Sequence, residues 1–183
     1  MLAVTRDTKV VSESETPFAE ATAGPTDHKE TAMSTLATSA HDQRQPSLFA
    51  RRPILTAIVV GAGSLLPHAF LPREASLGLA ANLIALIAGI YFGFAVVNGS
   101  GRHQMIEFNV TSLFAVAGLL GMLYWPLMLP IAYLAHAGWD LAHHNRARLS
   151  LVAIPSWYVP WCVVIDVIVG AGLFILWRTD GIL

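Results

Sequence analysis

Three imidazoles and a carboxylate lie close together in one apolar stretch of the sequence. They are His136, Asp140, His143 and His144. At the 100° per residue of an α-helix, the first three lie within about 60° of one another, and His144 widens the arc to about 100°. Neutral imidazole and carboxylate groups are ligands for Zn, Fe or Mn. The segment therefore predicts one helix face that could bind a divalent metal ion.

Two further carboxylates occur in apolar runs on either side of this segment. Glu107 follows His103 by four residues, and Asp166 lies well inside the last run. An ionisable group facing lipid is costly, so these side chains are expected to face one another inside a helical bundle. We expect Glu107 to be a ligand or general base and Asp166 to orient an imidazole, both with catalytic roles. His68 lies near the opposite end of the bundle and does not belong to this set.

Three functions fit such a cluster. A metal site with an open position would activate water or oxygen in an enzyme that acts on a lipid or other hydrophobic small molecule. The same groups could form a proton or ion relay in a small transporter. A structural or assembly subunit of a membrane complex is the third interpretation. Taken alone, His143 and His144 could simply be interfacial residues, because cations near a helix C-terminus are favoured by the helix dipole.

Composition places the chain in a lipid bilayer. Of its 183 residues 55% are apolar and only 13% are charged, about half the charged share of soluble proteins. Residues 1–50 carry seven acids against four bases, whereas residues 51–183 carry seven arginines, five acids and no lysine. No basic patch indicates a nucleic-acid partner. With Cys162 as the single cysteine, disulfides and cysteine-rich metal sites within one chain are excluded.

The chain is predicted to divide into a disordered polar tail, residues 1–50, and a transmembrane domain, residues 51–183. The tail is rich in Thr, Ser, Ala and Glu and has no apolar periodicity, so it cannot bury enough surface to offset chain entropy. It lacks the basic start and apolar core of a signal peptide. Met33 is an alternative start to Met1.

Five apolar runs predict an all-α, polytopic membrane bundle of about five transmembrane helices. Each run approaches the length that crosses about 30 Å of hydrocarbon. They cover residues 53–70, 75–97, 105–125, 126–144 and 157–177. In the second run, small residues recur every fourth position from Ala81 to Gly93, which favours close packing of a neighbouring helix of the same chain over a seam between two copies of the chain. Glycine pairs in three other runs are interpreted in the same way.

Arginine distribution predicts the orientation. With the N-terminus in the cytoplasm, five arginines lie inside and two outside, which agrees with the positive-inside rule. The inside set is Arg51, Arg52, Arg102, Arg146 and Arg148, and the outside set is Arg73 and Arg178. With this orientation, the polar cluster is expected in the cytoplasmic half of the bilayer.

Three families share features with this chain. The Asp140-Leu-Ala-His143-His144 segment resembles the HxxHH box of membrane desaturases and hydroxylases, but Asp replaces the first His and residues 51–183 hold too few histidines for two irons. Zinc-dependent alkaline ceramidases and adiponectin receptors are faintly similar, but they have seven spans.

A closer resemblance covers most of residues 53–178. It is to small bacterial integral membrane proteins classed as a domain of unknown function, the DUF6010 type. The matching pattern is His136-x-x-Trp139-Asp140-x-x-His143-His144, Ile154-Pro155-x-Trp157-Tyr158 and Cys162-x-x-x-Asp166. The resemblance implies an inner-membrane protein and no particular activity.

Overall fold

The structure, a computed structural model, describes residues 47–145 and 149–183. Most of the predicted tail lies outside the described residues, as do Arg146 and Arg148, which contributed to the predicted orientation. The described residues form helices and contain no strand. These are α1 (Leu48–Arg51), α2 (Pro53–Leu65), a 3₁₀ turn (Pro67–Ala69), α3 (Arg73–Asn98), α4 (Gly101–Leu123), α5 (Met128–His144) and α6 (Tyr158–Thr179).

Local sequence explains where several helices begin. Pro53 occupies the first position of α2, and Pro72 precedes α3, where the missing N–H of proline costs little. At the start of α4, the backbone N–H of Ser100 donates to Nδ1 of His103 at 3.1 Å. Nε2 of the same imidazole lies 3.0 Å from the carbonyl oxygen of Ser150. His103 is therefore a capping residue that also holds the loop after α5.

Three of the described helices are long and apolar enough to cross a membrane. They are α3 with 26 residues, α4 with 23 and α6 with 22. The apolar segment Pro53–Ala69 is shorter, and α5 has 17 residues. The predicted helical membrane fold is thus supported, whereas the predicted count of five spans is not confirmed.

Helices α3 and α4 form one close pair, α2 and α6 form a second, and α5 packs against both pairs. Helix α3 packs along α4, and α6 packs along both α5 and α2. Hydrogen bonds to helix carbonyls add to this packing: the hydroxyl of Tyr133 on α5 donates to Ala80 on α3 at 2.9 Å, and within the α3–α4 pair the hydroxyl of Thr111 donates to Ala88 at 3.0 Å. Within the described helices, α2 and α3 share almost no contact. A lateral gap therefore lies between α2 and α3, above α6.

Glycines permit the closest helix approaches, but not in every predicted place. A Cβ added at Gly170 would lie 3.0 Å from the carbonyl oxygen of Pro130, and one at Gly118 would lie 3.0 Å from that of Ala81. These contacts fit the predicted role of the glycine pairs. At Gly89 and Gly93 an added Cβ would meet nothing within 4 Å. The prediction that this part of the α3 stripe packs inside the chain is therefore wrong.

Large apolar side chains cover the outer surface. Leu86, Leu113 and Ile175 are each more than 60% exposed. Soluble monomers rarely expose apolar surface on this scale, so these faces are consistent with contact with a lipid bilayer.

Candidate functional site

A buried cluster joins two carboxylates to one imidazole at the contact between α5 and α6. His136 and Asp140 are one turn apart on α5, and Asp166 lies on α6. Nδ1 of His136 is 2.7 Å from Oδ2 of Asp166 and 3.5 Å from Oδ1 of Asp140. All three residues are completely buried. We call this set the His136 cluster.

Several polar atoms of the His136 cluster have no hydrogen-bond partner among the described residues. They are Nε2 of His136, both carboxylate oxygens of Asp140 and Oδ1 of Asp166. The 3.5 Å contact between His136 and Asp140 is close enough for electrostatic attraction but does not form a hydrogen bond. A buried polar atom without a partner costs about 1–3 kcal/mol, more when charged. Several such unpartnered atoms close together are typical of a site that takes up an ion, a water molecule or a polar ligand.

The cluster has the donor atoms of a divalent metal site. One ligand atom from each of its three residues lies within 4.8 Å of the others. Tetrahedral ligands held about 2.0–2.1 Å from zinc lie about 3.3 Å from one another. The 3.5 Å separation from Asp140 already suits this geometry, whereas the 2.7 Å contact with Asp166 would have to lengthen. Three protein ligands would leave a fourth position for water or substrate.

A second imidazole–carboxylate pair joins α5 to α4. Nε2 of His143 is 3.0 Å from Oε1 of Glu107, and Nε1–H of Trp139 donates to Oε2 at 3.2 Å. Nδ1 of His143 is 3.2 Å from the carbonyl oxygen of Trp139. A hydrogen-bonded proton therefore lies between Nε2 of His143 and Oε1 of Glu107.

An aromatic ring on α3 lies next to both imidazoles. The centroid of the Tyr91 ring is 4.7 Å from that of His143 and 5.6 Å from that of His136. Its hydroxyl is buried without a hydrogen-bond partner in the described chain. The ring of Phe114, on α4, packs edge-on to His136 at 4.9 Å. Sequence reasoning missed Tyr91, whose only signal was a hydroxyl in the middle of the second apolar run.

A cavity of about 200 Å³ reaches the His136 cluster from the side. It lies in the gap between α2 and α3, its floor is formed by α6, and Tyr133 of α5 contributes to its wall. The lining is nearly all apolar, and Asp166 is the one charged residue in it. A hydrophobic molecule in this cavity would therefore contact a carboxylate of the cluster.

The remaining histidines of the described helices lie elsewhere. His144, at the end of α5, is exposed. His68 is buried in a separate group, where its Nδ1 is 2.8 Å from Oγ of Ser76, to which Nε1–H of Trp177 also donates at 3.0 Å. Of the residues nominated from sequence, the structure thus joins His136 to Asp140 and Asp166, and His143 to Glu107.

Comparison with known proteins identifies the family of the chain. No curated protein and no solved structure matches it. The family model described as "Family of unknown function (DUF6010)" matches residues 52–179, a range that runs from the start of α2 to the end of α6. The suspected resemblance is confirmed: the chain belongs to the DUF6010 family.

Proposed function

We propose that this protein is a metal-dependent membrane enzyme that acts on a hydrophobic substrate. The observation that carries the proposal is the His136 cluster, whose buried donor atoms lack partners and whose Asp166 lines an apolar cavity. A site of this kind meets both requirements of such an enzyme, since it offers ligands to a cation and an adjoining surface for hydrocarbon.

His136, Asp140 and Asp166 are the proposed ligands. A divalent ion held by them would supply Lewis acidity and a bound water at neutral pH. Glu107 and His143 share a proton and are the proposed proton-transfer pair, because they are buried and the Tyr91 ring contacts both His143 and His136. We leave His144 out of the ligand set because its side chain is exposed.

The proposed topology has five spans in a bacterial inner membrane, with residues 1–50 as a cytoplasmic tail and residues 51–183 as the membrane domain. Helices α2 and α5 would cross with α3, α4 and α6. The buried polar groups on α5 support this, because a helix carrying such groups is stabilised when neighbouring helices enclose it.

A proton relay in a small transporter is the second candidate. The observation that favours it is that the Tyr91 ring contacts the imidazoles of both imidazole–carboxylate pairs, with centroids 4.7 and 5.6 Å away. In this case the protonatable groups would act without a metal. Proton flux in liposomes that is abolished by Asp166→Asn, in protein that contains no metal, would support the relay over the enzyme.

Metal content of the purified protein tests the enzyme proposal. Full-length protein is extracted in detergent without chelators from cells grown with Zn, Fe and Mn, and each metal is measured against protein by elemental analysis. We expect about one ion per chain, its loss in His136→Ala/Asp140→Ala, and its retention in the control His144→Gln. Absence of stoichiometric metal from the wild-type protein would remove the proposed mechanism, as would equal loss from the control.

A further inference from the structure

The apolar cavity opens toward the surroundings of the protein through the gap between α2 and α3. Val60 of α2 and Ile90 of α3 line the cavity, and each is 38% exposed. Because the outer faces of these helices are apolar, the medium at this opening is the hydrocarbon of the bilayer. A molecule dissolved in the membrane could therefore enter sideways without passing through water.

The cavity is elongated along the helices. Its lining residues on α6 run from Tyr158 to Val169, a rise of about 16 Å at 1.5 Å per residue. Asp166 lies about 12 Å along this path from Tyr158, by the same rise. A slot parallel to the helices is also parallel to lipid acyl chains, so its shape and its lining both match a hydrocarbon tail.

A second cavity, of about 620 Å³, adjoins the slot at the beginning of α2. Val60 lines both cavities, so the two are neighbours. Arg51 and Arg52 line the second cavity together with apolar side chains of α1 and α2. The ring of Phe49 on α1 packs edge-on against Trp161 on α6 at 6.0 Å, which holds α1 beside the slot. Two cationic side chains thus line the cavity next to the apolar slot.

We propose that these two neighbouring cavities together bind an anionic phospholipid of the surrounding bilayer, with its phosphate at Arg51 and Arg52 and one tail in the slot beside Asp166. Charge complementarity favours an anionic head group, since each basic residue near a membrane surface contributes about 1 kcal/mol toward anionic lipid. Taking this lipid as the substrate depends on the proposed function, but its binding does not. The reacting part would then be the tail, because Asp166 lies far along the slot from the arginines.

Photolabelling tests the lipid site. Full-length protein in detergent is incubated with phosphatidylglycerol or phosphatidylcholine carrying a diazirine in the tail, and labelled peptides are mapped by mass spectrometry. We expect phosphatidylglycerol to label α2 near Val60 and α6 near Cys162 in preference to the outer faces. Arg51→Gln/Arg52→Gln should weaken this labelling about 30-fold, from the summed contributions of two charges.

Matched variants separate the site from general effects. Arg73→Gln/Arg102→Gln removes two exposed arginines that line neither cavity and should leave labelling unchanged. Ile90→Trp should fill the mouth of the slot and suppress labelling, whereas Leu113→Trp, on the exposed face of α4 and in neither cavity lining, should not. Equal labelling by the two lipids, or labelling spread over all apolar faces, would overturn the proposal. Displacement by free oleate at concentrations equal to those of phosphatidylglycerol would also overturn it, because the occupant would then be a fatty acid.

The lipid site and the metal site can fail independently. Selective labelling in protein without stoichiometric metal would support the lipid site and count against the enzyme. Bound metal without selective labelling would retain the enzyme and remove this lipid as its substrate.

Discussion

His136 and His143 lie two turns apart on one helix, yet their ring nitrogens are used differently. In His143 both nitrogens are engaged, one by a backbone carbonyl and the other by Glu107. In His136 one nitrogen meets Asp166, and Nε2 is buried without a partner. Nδ1 of His136 already lies beside an oxygen of each of the two other proposed ligands, whereas each nitrogen of His143 is occupied by a hydrogen bond outside that set. His136 is therefore the better ligand, and His143 is better suited to sharing a proton.

Glu107→Gln is expected to preserve the fold and the metal content. The amide NH₂ of glutamine can donate to Nε2 of His143 while its carbonyl accepts from Trp139, so both hydrogen bonds survive. Because such bonds in membranes average about 0.6 kcal/mol, the free energy of unfolding should change by less than about 1 kcal/mol. Unfolding of the purified protein by SDS in mixed micelles, followed by tryptophan fluorescence, measures this quantity.

Glu107→Leu is the matched disruptive variant. Leucine has a similar size but leaves the indole N–H of Trp139 and Nε2 of His143 without partners, at a cost of about 2–4 kcal/mol in total. If glutamine destabilises the protein as much as leucine does, a permanent charge on Glu107 is required. If glutamine removes the metal, Glu107 is a ligand and the proposed ligand set is incomplete.

Residue spacing could predict which polar groups share a helix face, but not how they pair. The helical period placed His136, Asp140 and His143 together because they share one helix. Pairing with Asp166 or Glu107 depends on how far α6 and α4 are shifted along α5, and apolar helices in lipid tolerate many such shifts. Tyr91 was missed for the same reason, since its importance comes entirely from what it contacts.

At the scale of elements, glycines determine how closely α5 approaches α6. Gly170→Ala would place a methyl group 3.0 Å from the carbonyl oxygen of Pro130. We expect this to reduce the free energy of unfolding by about 1–2 kcal/mol, since overpacking costs typically about 1–3 kcal/mol and alanine recovers part through helix propensity. Unfolding in mixed micelles of SDS provides the measurement.

Gly89→Ala is the control on α3. Nothing lies within 4 Å of its added methyl group, so stability should be unchanged or higher by up to about 1 kcal/mol. A loss at Gly89 as large as that at Gly170 would show that the space around Gly89 is occupied. The small-residue pattern marks a face where close approach is possible, whether or not a helix of the same chain uses it, and this explains the mistaken prediction for Gly89 and Gly93.

For the whole molecule, length distinguishes α3, α4 and α6 from the two shorter helices, α2 and α5. Helix α5 has 17 residues, about 26 Å at 1.5 Å per residue, against about 30 Å of hydrocarbon. It also carries the buried polar groups of the site, which lower its hydropathy. Helix α5 therefore gives a weak transmembrane signal because its buried polar residues replace apolar ones, and the number of spans needs a direct measurement.

Cysteine accessibility in intact cells determines whether α2 crosses the membrane. In a Cys162→Ala background, single cysteines replace Leu71 after α2, Asn98 at the end of α3 and Asp180 after α6. With five spans and a cytoplasmic N-terminus, an impermeant maleimide applied to intact spheroplasts should label Leu71→Cys and Asp180→Cys, and should label Asn98→Cys only after permeabilisation. If only α3, α4 and α6 cross, the maleimide should label Asn98→Cys in intact spheroplasts and Leu71→Cys only after permeabilisation, an exchange of the two results. Asp180→Cys would still be labelled from outside. The exchanged pattern would contradict the five-span topology, because each crossing helix reverses the side on which the next loop lies.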